Sequence, residues 1–366
     1  MYDFIIAGAG LYGAVFAHQA KEKGHQCLVV EKRGHTGGNI FCKNINGIAV
    51  HYYGAHIFHT NSEKVWAYVN RFVQFNNYVN SPIANHKGEL YNLPFNMNTF
   101  YQLWKVKTPE EALEKINEQR WKHQKKTPDN LEEMALSIVG EDIYYKLIKG
   151  YTEKQWGKPA TEIPAFIIQR IPLRFTFNNN YFNDRYQGIP IGGYNPLVDA
   201  LLEGTEVVLD TDFLQQKDVF MKQARKIIYT GEIDRYFDYC FGKLEYRSLV
   251  FDHQLLEGVP NFQGNAVMNY TESSIPFTRI LEHKHFEFGE QPDTVITYEY
   301  SADFTGDNEP YYPINDAANN RLYGQYRALA EKDPKLHFGG RLGAYKYFNM
   351  DQVIEAALND AENILK

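Results

Sequence analysis

A glycine-rich segment near the start of the chain has the composition of a phosphate-binding turn. Residues 8–13 read Gly-Ala-Gly-Leu-Tyr-Gly. Gly8, Gly10 and Gly13 permit a tight turn and a close approach of the backbone to a pyrophosphate, and a helix that begins at Leu11 offers free N–H groups to the phosphates. About 20 residues further on, Glu31 lies where a carboxylate accepts hydrogen bonds from a ribose. The segment predicts a dinucleotide-binding site.

A second glycine pair distinguishes between two dinucleotides. The residues after Glu31 lead to Gly37-Gly38-Asn39, which lets the backbone pass close to a long, extended ligand. NAD enzymes usually lack this pair, so the sequence favours FAD. Gly339-Gly340-Arg341 could add a helix dipole or a cationic contact to the pyrophosphate or the flavin. The alternative at that position is an ordinary strand-to-helix turn with a surface arginine.

The elements that must carry these motifs form a βαβ unit. Apolar runs and helical periodicity predict a strand over 2–7, a helix over 11–23 and a second strand over 27–31. Two later segments, 226–229 and 336–338, are also predicted as strands, and the second leads into a last amphipathic helix. The nucleotide-binding domain is therefore predicted to be discontinuous, with strands from both ends of the chain.

A helical part lies between these segments. Thr108-Pro109-Glu110-Glu111 is typical of a helix N-terminus, and Asp129 with Glu132 is predicted to begin a second helix. Earlier in the chain, Thr60 with Glu63 predicts a capping box. We expect a small inserted helical domain here.

Alternation of β-branched and aromatic residues with polar ones predicts an antiparallel sheet. It occurs over 160–190 and 245–305, for example at 174–177 and 294–300. The predicted fold class is α/β: a discontinuous FAD-binding Rossmann-like domain with an inserted helical domain and an antiparallel β-sheet domain. We assign 1–80, 190–244 and 315–366 to the FAD-binding domain, 96–160 to the helical insert, and 81–95, 161–189 and 245–314 to the sheet domain.

The bulk composition excludes several classes of partner. A chain of 366 residues with a formal charge of -7 has no general attraction for nucleic acid or an anionic membrane, so an anionic ligand needs locally placed Arg or Lys. We expect no export signal, and the sequence has no run of about 20 apolar residues. Its cysteines lack a C-x-x-C spacing, which suits a reducing cytosol. We expect a soluble, cytoplasmic protein without a nucleic-acid or membrane partner.

The titratable residues do not suggest a self-sufficient catalytic centre. His56-x-x-His59 and His283-x-His285 have no acidic or cysteine partner at useful spacing, so no metal site is expected. The sequence has no Ser-His-Asp order, no paired carboxylates near a motif and no convincing Cys-His couple. A cofactor is therefore expected to carry the chemistry.

A series of short motifs lies along the chain, among them Tyr-Gly-Ala-His-Ile-Phe-His-Thr at 53–60 and Gly-Tyr-Thr-Glu-Lys-Gln-Trp-Gly at 150–157. Others lie at 168–172, 180–182, 246–248, 278–280, 309–313 and 339–342. With these motifs essentially the whole chain closely resembles the UDP-galactopyranose mutase family, flavoenzymes that interconvert UDP-galactopyranose and UDP-galactofuranose. The resemblance implies reduced FAD, a covalent adduct between flavin N5 and the sugar anomeric carbon, no net redox change, a separate reductant and a homodimer.

A nucleotide-linked sugar needs cations for its diphosphate. Arg170, Arg247 and Arg279 can supply bidentate donors in a protein that is otherwise acidic. Tyr151 and Trp156 could stack on uracil and on the sugar face, as the resemblance implies, although core aromatic residues are the alternative. The predicted substrate-binding residues are Asn80, Tyr151, Thr152, Trp156, Arg170, Tyr181, Arg247, Asn269, Arg279, Tyr311, Tyr312 and Tyr347.

The resemblance places His56 beside the flavin, where a neutral imidazole could bind cofactor or sugar; a satisfied buried histidine is the alternative. Arg170, Arg279 and His56 are the predicted catalytic residues, with the arginines stabilising the departing diphosphate. Asn349 stands where we expect Asp in close relatives, and it keeps an acceptor but loses the charge. The predicted cofactor-binding residues are Gly8, Gly10, Leu11, Gly13, Glu31, Lys32, Gly38, Asn39, His56, Ile57, Phe213, Arg341, Asn349 and Met350.

Two other classes of function remain open from the sequence. An amine-oxidase-like flavin oxidoreductase would share the N-terminal FAD unit, but it would not need three arginines converging on a diphosphate. A non-catalytic nucleotide-sugar binding protein would bind UDP and form no isomer. An isomerisation assay with reduced protein distinguishes all three classes.

Overall fold

Two large sheets and a set of helices make up the fold. The computed structural model describes residues 1–124, 127–168 and 172–365, so the predicted site residue Arg170 lies outside the described residues. The strands are β1 (Tyr2–Ala7), β2 (Cys27–Val30), β3 (Cys42–Ile45), β4 (Ile48–His51), β5 (Phe58–Thr60), β6 (Ile83–His86), β7 (Glu89–Asn92), β8 (Tyr186–Gly188), β9 (Glu206–Val208), β10 (Ala224–Tyr229), β11 (Tyr246–Leu256), β12 (Val267–Tyr270), β13 (Arg279–Glu282), β14 (Thr294–Asp303), β15 (Tyr312–Pro313) and β16 (Leu336–Phe338). The α-helices are α1 (Leu11–Glu22), α2 (Glu63–Val69), α3 (Met97–Trp104), α4 (Pro109–Arg120), α5 (Leu131–Val139), α6 (Glu141–Ile143), α7 (Lys149–Trp156), α8 (Asn195–Leu202), α9 (Lys217–Gln223), α10 (Ile233–Tyr236), α11 (Ala317–Ala330), α12 (Gly340–Gly343) and α13 (Met350–Ile364).

The glycine-rich turn belongs to a five-stranded sheet with the order β16-β10-β1-β2-β9. All neighbouring strands run parallel, and Ile5 of β1 lies opposite Leu28 on one side and Ile227 on the other. The central strands are apolar runs because helices cover both faces of such a sheet. The strands come from separate parts of the chain, which confirms the predicted discontinuous Rossmann-like fold.

Helices α1, α8 and α13 pack on one face of the parallel sheet. Phe16 of α1, Leu197 of α8 and Ile354 of α13 are buried in the same apolar cluster. On the other face, Phe213 and Phe220 belong to a second cluster with residues of β1 and β10. The first and last helices of the chain therefore cover the same face of the sheet, which agrees with the predicted amphipathic C-terminal helix.

The second large sheet has seven strands in the order β15-β11-β14-β13-β12-β6-β7. It is antiparallel as predicted, except that β6 runs parallel to β12. The register of β11 and β14 places His253 opposite Thr297. On the other side of β14, Arg279 of β13 lies opposite Glu299. Because paired residues project from the same face of a sheet, each pair brings two polar side chains together.

Helices α3 to α7 form the predicted helical insert around an apolar cluster of their own. Helix α4 begins as predicted: Oγ1 of Thr108 accepts the N–H of Glu111 (3.2 Å), and the Glu111 carboxylate accepts the N–H of Thr108 (3.1 Å). Within the described ranges, no helix is long and apolar enough to cross a membrane.

Two predicted helix starts are shifted. Helix α5 is capped by Asn130, not by Asp129. Helix α2 is capped by Ser62, not by Thr60, whose hydroxyl instead accepts the N–H of Ser62 (3.0 Å). In both cases a polar residue in extended conformation lies closer to the first helical turn than the predicted one, and its side chain takes the free N–H groups there.

The strand expected at 174–177 is also wrong. This segment is a loop, and in the described part of 160–190 the chain forms only the strand β8. The N–H of Arg174 donates to the carbonyl of Phe95 (2.9 Å), and its guanidinium donates to the carbonyls of Asn180 and Tyr181. The side chain of Arg174 therefore pairs with backbone carbonyls of this curved segment, which a partner strand would otherwise have to pair. The residue limits of the three domains stay a prediction.

We predict opposite effects of one substitution at two helical glycines. A Cβ on Gly13 of α1 would lie 2.0 Å from the carbonyl oxygen of Gly8, so Gly13→Ala must displace the turn. We expect it to lower the free energy of unfolding by about 1–3 kcal/mol or more. A Cβ on Gly324 of α11 would meet nothing within 4 Å, so Gly324→Ala should raise it by about 0.5–1 kcal/mol. Urea unfolding measures both, and equal changes would contradict the prediction.

Candidate cofactor and substrate site

A cavity opens where the parallel strands β1, β2 and β10 end. Ala7, Val30 and Tyr229, the last residues of these strands, lie in its wall. Parallel sheets bind ligands at this edge, where helix N-termini and strand ends meet. Most of the predicted cofactor-binding residues line the cavity, namely Gly8, Gly10, Leu11, Gly13, Glu31, Lys32, Gly38, Asn39, His56, Phe213, Arg341 and Met350.

Two predicted cofactor contacts do not belong to the described lining. Ile57 packs against an apolar cluster that includes Ile189 and Phe286. Asn349 precedes helix α13, and its N–H donates to Oε1 of Gln352 (2.9 Å). Their contact with a cofactor therefore stays a prediction.

The turn between β1 and α1 allows a close approach to its backbone. Gly8 has a φ of 110°, and a Cβ on it would lie 2.0 Å from Oγ1 of Thr230. The N–H of Ala9 donates to Oε2 of Glu31 (2.8 Å), and the N–H of Arg33 donates to Oε1 (2.9 Å). Glu31 is only 5% exposed. Its carboxylate is thus fixed in orientation, and its other lone pairs suit ribose hydroxyls.

Arg33 and Glu309, which the sequence did not mark as site residues, connect this turn to a distant segment. Glu309 binds Nζ of Lys32 and Nη2 of Arg33 at 2.9 Å each, one with each carboxylate oxygen. Arg33 also donates to Oδ1 of Asn39 (3.1 Å) and lies over the ring of Tyr53. Arg33 lines the cavity, and its buried Nη1 has no partner among the described residues. Its position just beyond Glu31 was the only sequence signal for this candidate cofactor contact.

His56 lines the cavity, and its backbone and Nδ1 are held by protein groups. Nδ1 lies 2.8 Å from the carbonyl oxygen of Gly54, so Nδ1 carries the proton and Nε2 is an acceptor. The N–H of His56 donates to Nδ1 of His51 (3.2 Å), and its carbonyl accepts from the hydroxyl of Tyr194 (2.9 Å). Burial lowers the pKa of His56 to about 4. The imidazole is therefore neutral near pH 7.

Arg279 lies near three tyrosines and pairs with a carboxylate. Its Nε donates to Oε1 of Glu299 at 2.8 Å. Tyr151, Tyr181 and Tyr312 lie near enough to interact electrostatically with Arg279. Burial by itself would lower the pKa of Arg279, but Glu299 and then the tyrosines raise it, so the guanidinium stays charged. Burial raises the pKa of Tyr151 and Tyr312, which remain protonated donors, while Tyr181 is 44% exposed. This combination suits an anion.

Tyr347 and Arg341 connect this group to the cofactor cavity. The ring of Tyr347 stacks on that of Tyr312, with centres 5.4 Å apart. Cζ of Arg341 lies 5.2 Å from the ring centre of Tyr347. The Arg341 guanidinium also donates to the carbonyls of Tyr311 (3.2 Å) and Phe348 (2.8 Å). Because Arg341 lines the cavity, the tyrosine group and the cavity are parts of one site.

Arg247 is already engaged by protein groups. Its Nε donates to the carbonyl of Gln155 (3.1 Å), its Nη2 to Oγ of Ser301 (2.9 Å) and its Nη1 to Asp303. These bonds fix the end of α7 against β14. The predicted contact of Arg247 with a diphosphate would require this set to rearrange, and it stays a prediction.

The other predicted substrate residues have different surroundings. Asn269 lies in β12, and its buried Oδ1 has no hydrogen-bond partner in the part of the chain that is described. The carbonyl of Asn80 accepts the N–H of Tyr181 (2.7 Å). Trp156 packs against the apolar cluster of the helical insert, which fits the core alternative, and Thr152 is buried in α7. Among the described residues, no group of His, Cys, Asp and Glu side chains could hold a metal ion.

Two family models match the chain. The model of the UDP-galactopyranose mutase family matches residues 146–347, which is more than half of the chain and includes Tyr151, Arg279 and Tyr312. A model of an NAD(P)-binding Rossmann-like domain matches residues 6–72, which include the glycine-rich turn.

Relatives of known name match over almost the full length. A probable UDP-galactopyranose mutase of Klebsiella pneumoniae is 37% identical over 99% of this chain and 94% of its own length. A dTDP-fucopyranose mutase of Escherichia coli is 34% identical over 100% of this chain and 99% of its own. A UDP-galactopyranose mutase of Mycoplasma pneumoniae is 32% identical over 100% and 96%.

Solved structures show the same fold at low sequence identity. A reduced UDP-galactopyranose mutase superposes with a TM-score of 0.75 at 15% identity, covering 100% of this chain and 96% of that one. A fatty acid isomerase from P. acnes superposes with a TM-score of 0.63 at 13% identity, covering 100% and 99%.

We predict that acid destabilises the folded chain through its buried, neutral histidines. His51 is 2% exposed, and burial, followed by the neighbouring His56, lowers its pKa to about 3. Below about pH 6.5 the unfolded chain binds a proton at His51 that the folded chain excludes. The free energy of unfolding should therefore fall as the pH falls, by about 2 kcal/mol from this residue at about pH 5.

Urea unfolding at a series of pH values measures this effect. His51→Asn removes the titrating group, so its free energy of unfolding should vary less with pH. Between about pH 4 and pH 6, the difference in slope should reach up to about 1.4 kcal/mol per pH unit. Identical slopes in both proteins would contradict the prediction.

Proposed function

Because the chain belongs to the UDP-galactopyranose mutase family, we propose that it is an isomerase that interconverts UDP-galactopyranose and UDP-galactofuranose. The observation that carries the choice of substrate is the pair of half-buried Arg279 with buried Glu299, near Tyr151, Tyr181 and Tyr312. A diphosphate needs a fixed cation in a protein of net charge -7. An oxidase that acts on an amine would not need one.

We propose FAD in its reduced form as the cofactor. The residues fit a dinucleotide: the Gly8 turn has no room for a Cβ, Glu31 is fixed for a ribose, and Arg33 leaves Nη1 unpaired at the cavity wall within the described residues. Reduced FAD would supply the electron pair that displaces UDP from the anomeric carbon, with no net redox change. A separate reductant is then needed only to prime the cycle.

The chain's own part in this reaction is to hold the leaving diphosphate. Glu299 keeps Arg279 charged and engages only its Nε within the described ranges, so Nη1 and Nη2 are available to phosphate oxygens. Such a cation stabilises the negative charge that develops on UDP and keeps UDP close for its return. Arg170, which lies outside the described residues, is proposed as a second cation.

Aromatic and amide groups complete the proposed substrate site. We assign hydroxyl donors to Tyr181, Tyr312 and Tyr347 because they lie around Arg279 or stack within that group. The unpaired Oδ1 of Asn269 suits a sugar hydroxyl. Tyr151, which lies near Arg279, is better placed to contact a ligand than Trp156, which packs in the helical insert.

A dTDP-linked deoxysugar is a second candidate substrate, because the dTDP-fucopyranose mutase of Escherichia coli matches the whole chain. The ring interconversion would be the same. Fucose lacks the hydroxyl on C6, and the nucleotide differs in its base methyl and its ribose.

We also propose a cytoplasmic homodimer. Light scattering after size-exclusion chromatography would test the dimer.

We expect isomer formation by reduced protein without consumption of a nicotinamide cofactor. FAD-loaded protein is reduced with dithionite and incubated anaerobically with UDP-galactofuranose and, separately, with dTDP-fucofuranose, and the products are separated by chromatography. UDP-galactopyranose should form with reduced protein only. A faster reaction of the dTDP sugar would support the second candidate, hydrogen peroxide formed from an amine would support an oxidase, and UDP binding without an isomer would support a binding protein.

We predict that Arg279→Lys lowers kcat/KM by about 10²- to 10³-fold, because lysine keeps the charge beside Glu299 but loses the planar pair of donors for the diphosphate. The bound FAD should be unaffected, and its absorbance checks this. Arg71→Lys is the matched control, since Arg71 forms an exposed pair with Glu22. Near-normal turnover of Arg279→Lys with FAD bound would remove Arg279 from the mechanism.

A further inference from the structure

A set of hydrogen bonds holds the 51–56 loop, which presents His56 to the cofactor cavity. We propose that His51 is a positioning residue, which fixes the backbone of His56 and thereby keeps Nε2 of His56 as a bare acceptor facing the cavity. The supporting side chains are His283, Thr297 and His253. This inference rests on the proposed function for its kinetic consequences, while the hydrogen bonds themselves belong to the fold.

The proton positions at His51 and His283 follow from their donors. The N–H of His56 donates to Nδ1 of His51 (3.2 Å), so Nδ1 is bare and neutral His51 carries its proton on Nε2. The N–H of His51 donates in turn to Nδ1 of His283 (3.1 Å). His283 therefore also carries its proton on Nε2, which donates to Oγ1 of Thr297 (2.6 Å).

The rest of the network returns to the same loop. Since Oγ1 of Thr297 accepts from His283, its hydroxyl proton can donate to Nδ1 of His253 (2.7 Å). Nε2–H of His253 donates to the carbonyl of Tyr52 (3.1 Å), and the rings of His253 and Tyr52 stack with centres 4.4 Å apart. This series of hydrogen bonds begins at the N–H of His51 and ends at the carbonyl of Tyr52, so it restrains both residues.

Of the two ring nitrogens of His51, Nδ1 accepts a hydrogen bond and Nε2 is unpaired among the described residues. Nε2 of His51 is buried and has no hydrogen-bond partner among the described residues, which is unfavourable for a donor. The ring is held by stacking on Phe286, with centres 4.5 Å apart. An apolar ring would avoid the unpaired donor but would leave the N–H of His56 without its acceptor. Burial lowers the pKa of His51, His253 and His283, so the acceptor nitrogens persist at neutral pH.

The same sheet face also carries the proposed diphosphate cation. His283 directly follows β13, the strand that begins with that arginine, and Thr297 precedes Glu299 by two residues on β14. Residues two apart on a strand share a face. Gly54, in the loop, lies against this face, since a Cβ on it would be 3.4 Å from Oε2 of Glu299. The network therefore sets the imidazole of His56 at a fixed position relative to the cation.

Nitrogen-15 NMR of FAD-loaded protein labelled at histidine tests the proton assignments without any measurement of activity. We expect neutral rings near neutral pH, with the proton on Nε2 of His51, His253 and His283 and on Nδ1 of His56. A proton on Nδ1 of His51, or a charged His51, would overturn the inference.

Two substitutions of His51 test the consequence for the reaction. His51→Phe keeps the stacked ring and removes the acceptor, whereas His51→Asn places an acceptor near the position of Nδ1. With FAD bound in both, kcat should fall by about 10- to 100-fold in His51→Phe, because His56 is misplaced. The absorbance spectrum of the bound flavin should change as well, and His51→Asn should restore most of both. His123→Phe, at a partly exposed position, is the matched control. Equal kcat and equal spectra in the two His51 variants would overturn the proposal.

Thr297 provides a second comparison if His51→Phe does not fold. Thr297→Val keeps the shape and removes the hydroxyl, while Thr297→Ser keeps the hydroxyl. The valine variant should lower kcat and shift the flavin spectrum more than the serine variant, and identical behaviour would count against the network. Wild-type protein that forms no isomer would refute the proposed function instead, and in that case the NMR assignments and the flavin spectra still decide this inference.

Discussion

Arg279 and Glu299 face each other across two central strands of the second sheet, and Glu299 is only 2% exposed. A carboxylate removed from water is unfavourable unless a cation and hydrogen-bond donors surround it, so the packing of this sheet requires the arginine. The arginine in turn is held charged and oriented by the carboxylate. Three tyrosines and Gly54 of the 51–56 loop lie near this pair, and a protein with an excess of negative charge thereby offers a fixed cation to an anion.

The topology explains why a dinucleotide cavity and this ion pair lie side by side. The parallel sheet takes β1 and β2 from the start of the chain, β10 from its middle and β16 from near its end, and the second sheet is formed by segments between them. The chain leaves the parallel sheet for the second sheet from the ends of β2 and β10. The connection from β2 to β6 carries His56, whereas Arg341 lies in α12, just after β16, and both side chains line the cavity. The site is therefore built from connections, while the sheets keep those connections in register.

Local signals in the sequence predicted the glycine-rich turn and most of the residues that line the cavity. The spacing of the first glycines and the position of Glu31 depend only on one βαβ unit, so a short window contains the information. The substrate side depends on strand register. The pairing of Arg279 with Glu299 could not be predicted, because it requires knowing which of several alternating segments are neighbours. Arg247 and 174–177 show the same limit: the type of residue suggested a ligand or a strand, while the actual partners of both arginines are backbone and side-chain groups that only the fold brings near.

Glu309 joins Lys32 and Arg33, which follow the second strand of the chain, to the segment that contains Tyr311 and Tyr312. The two halves of the site are thus linked by charge as well as by packing. A chimera that grafts the first βαβ unit of another flavoprotein onto this chain would leave Glu309 half-buried without its cations, unless the graft carries equivalents of both. For an evolving lineage or a protein engineer, the cofactor turn and the tyrosine segment must therefore change together, although Arg33 and Glu309 lie 276 residues apart in the chain.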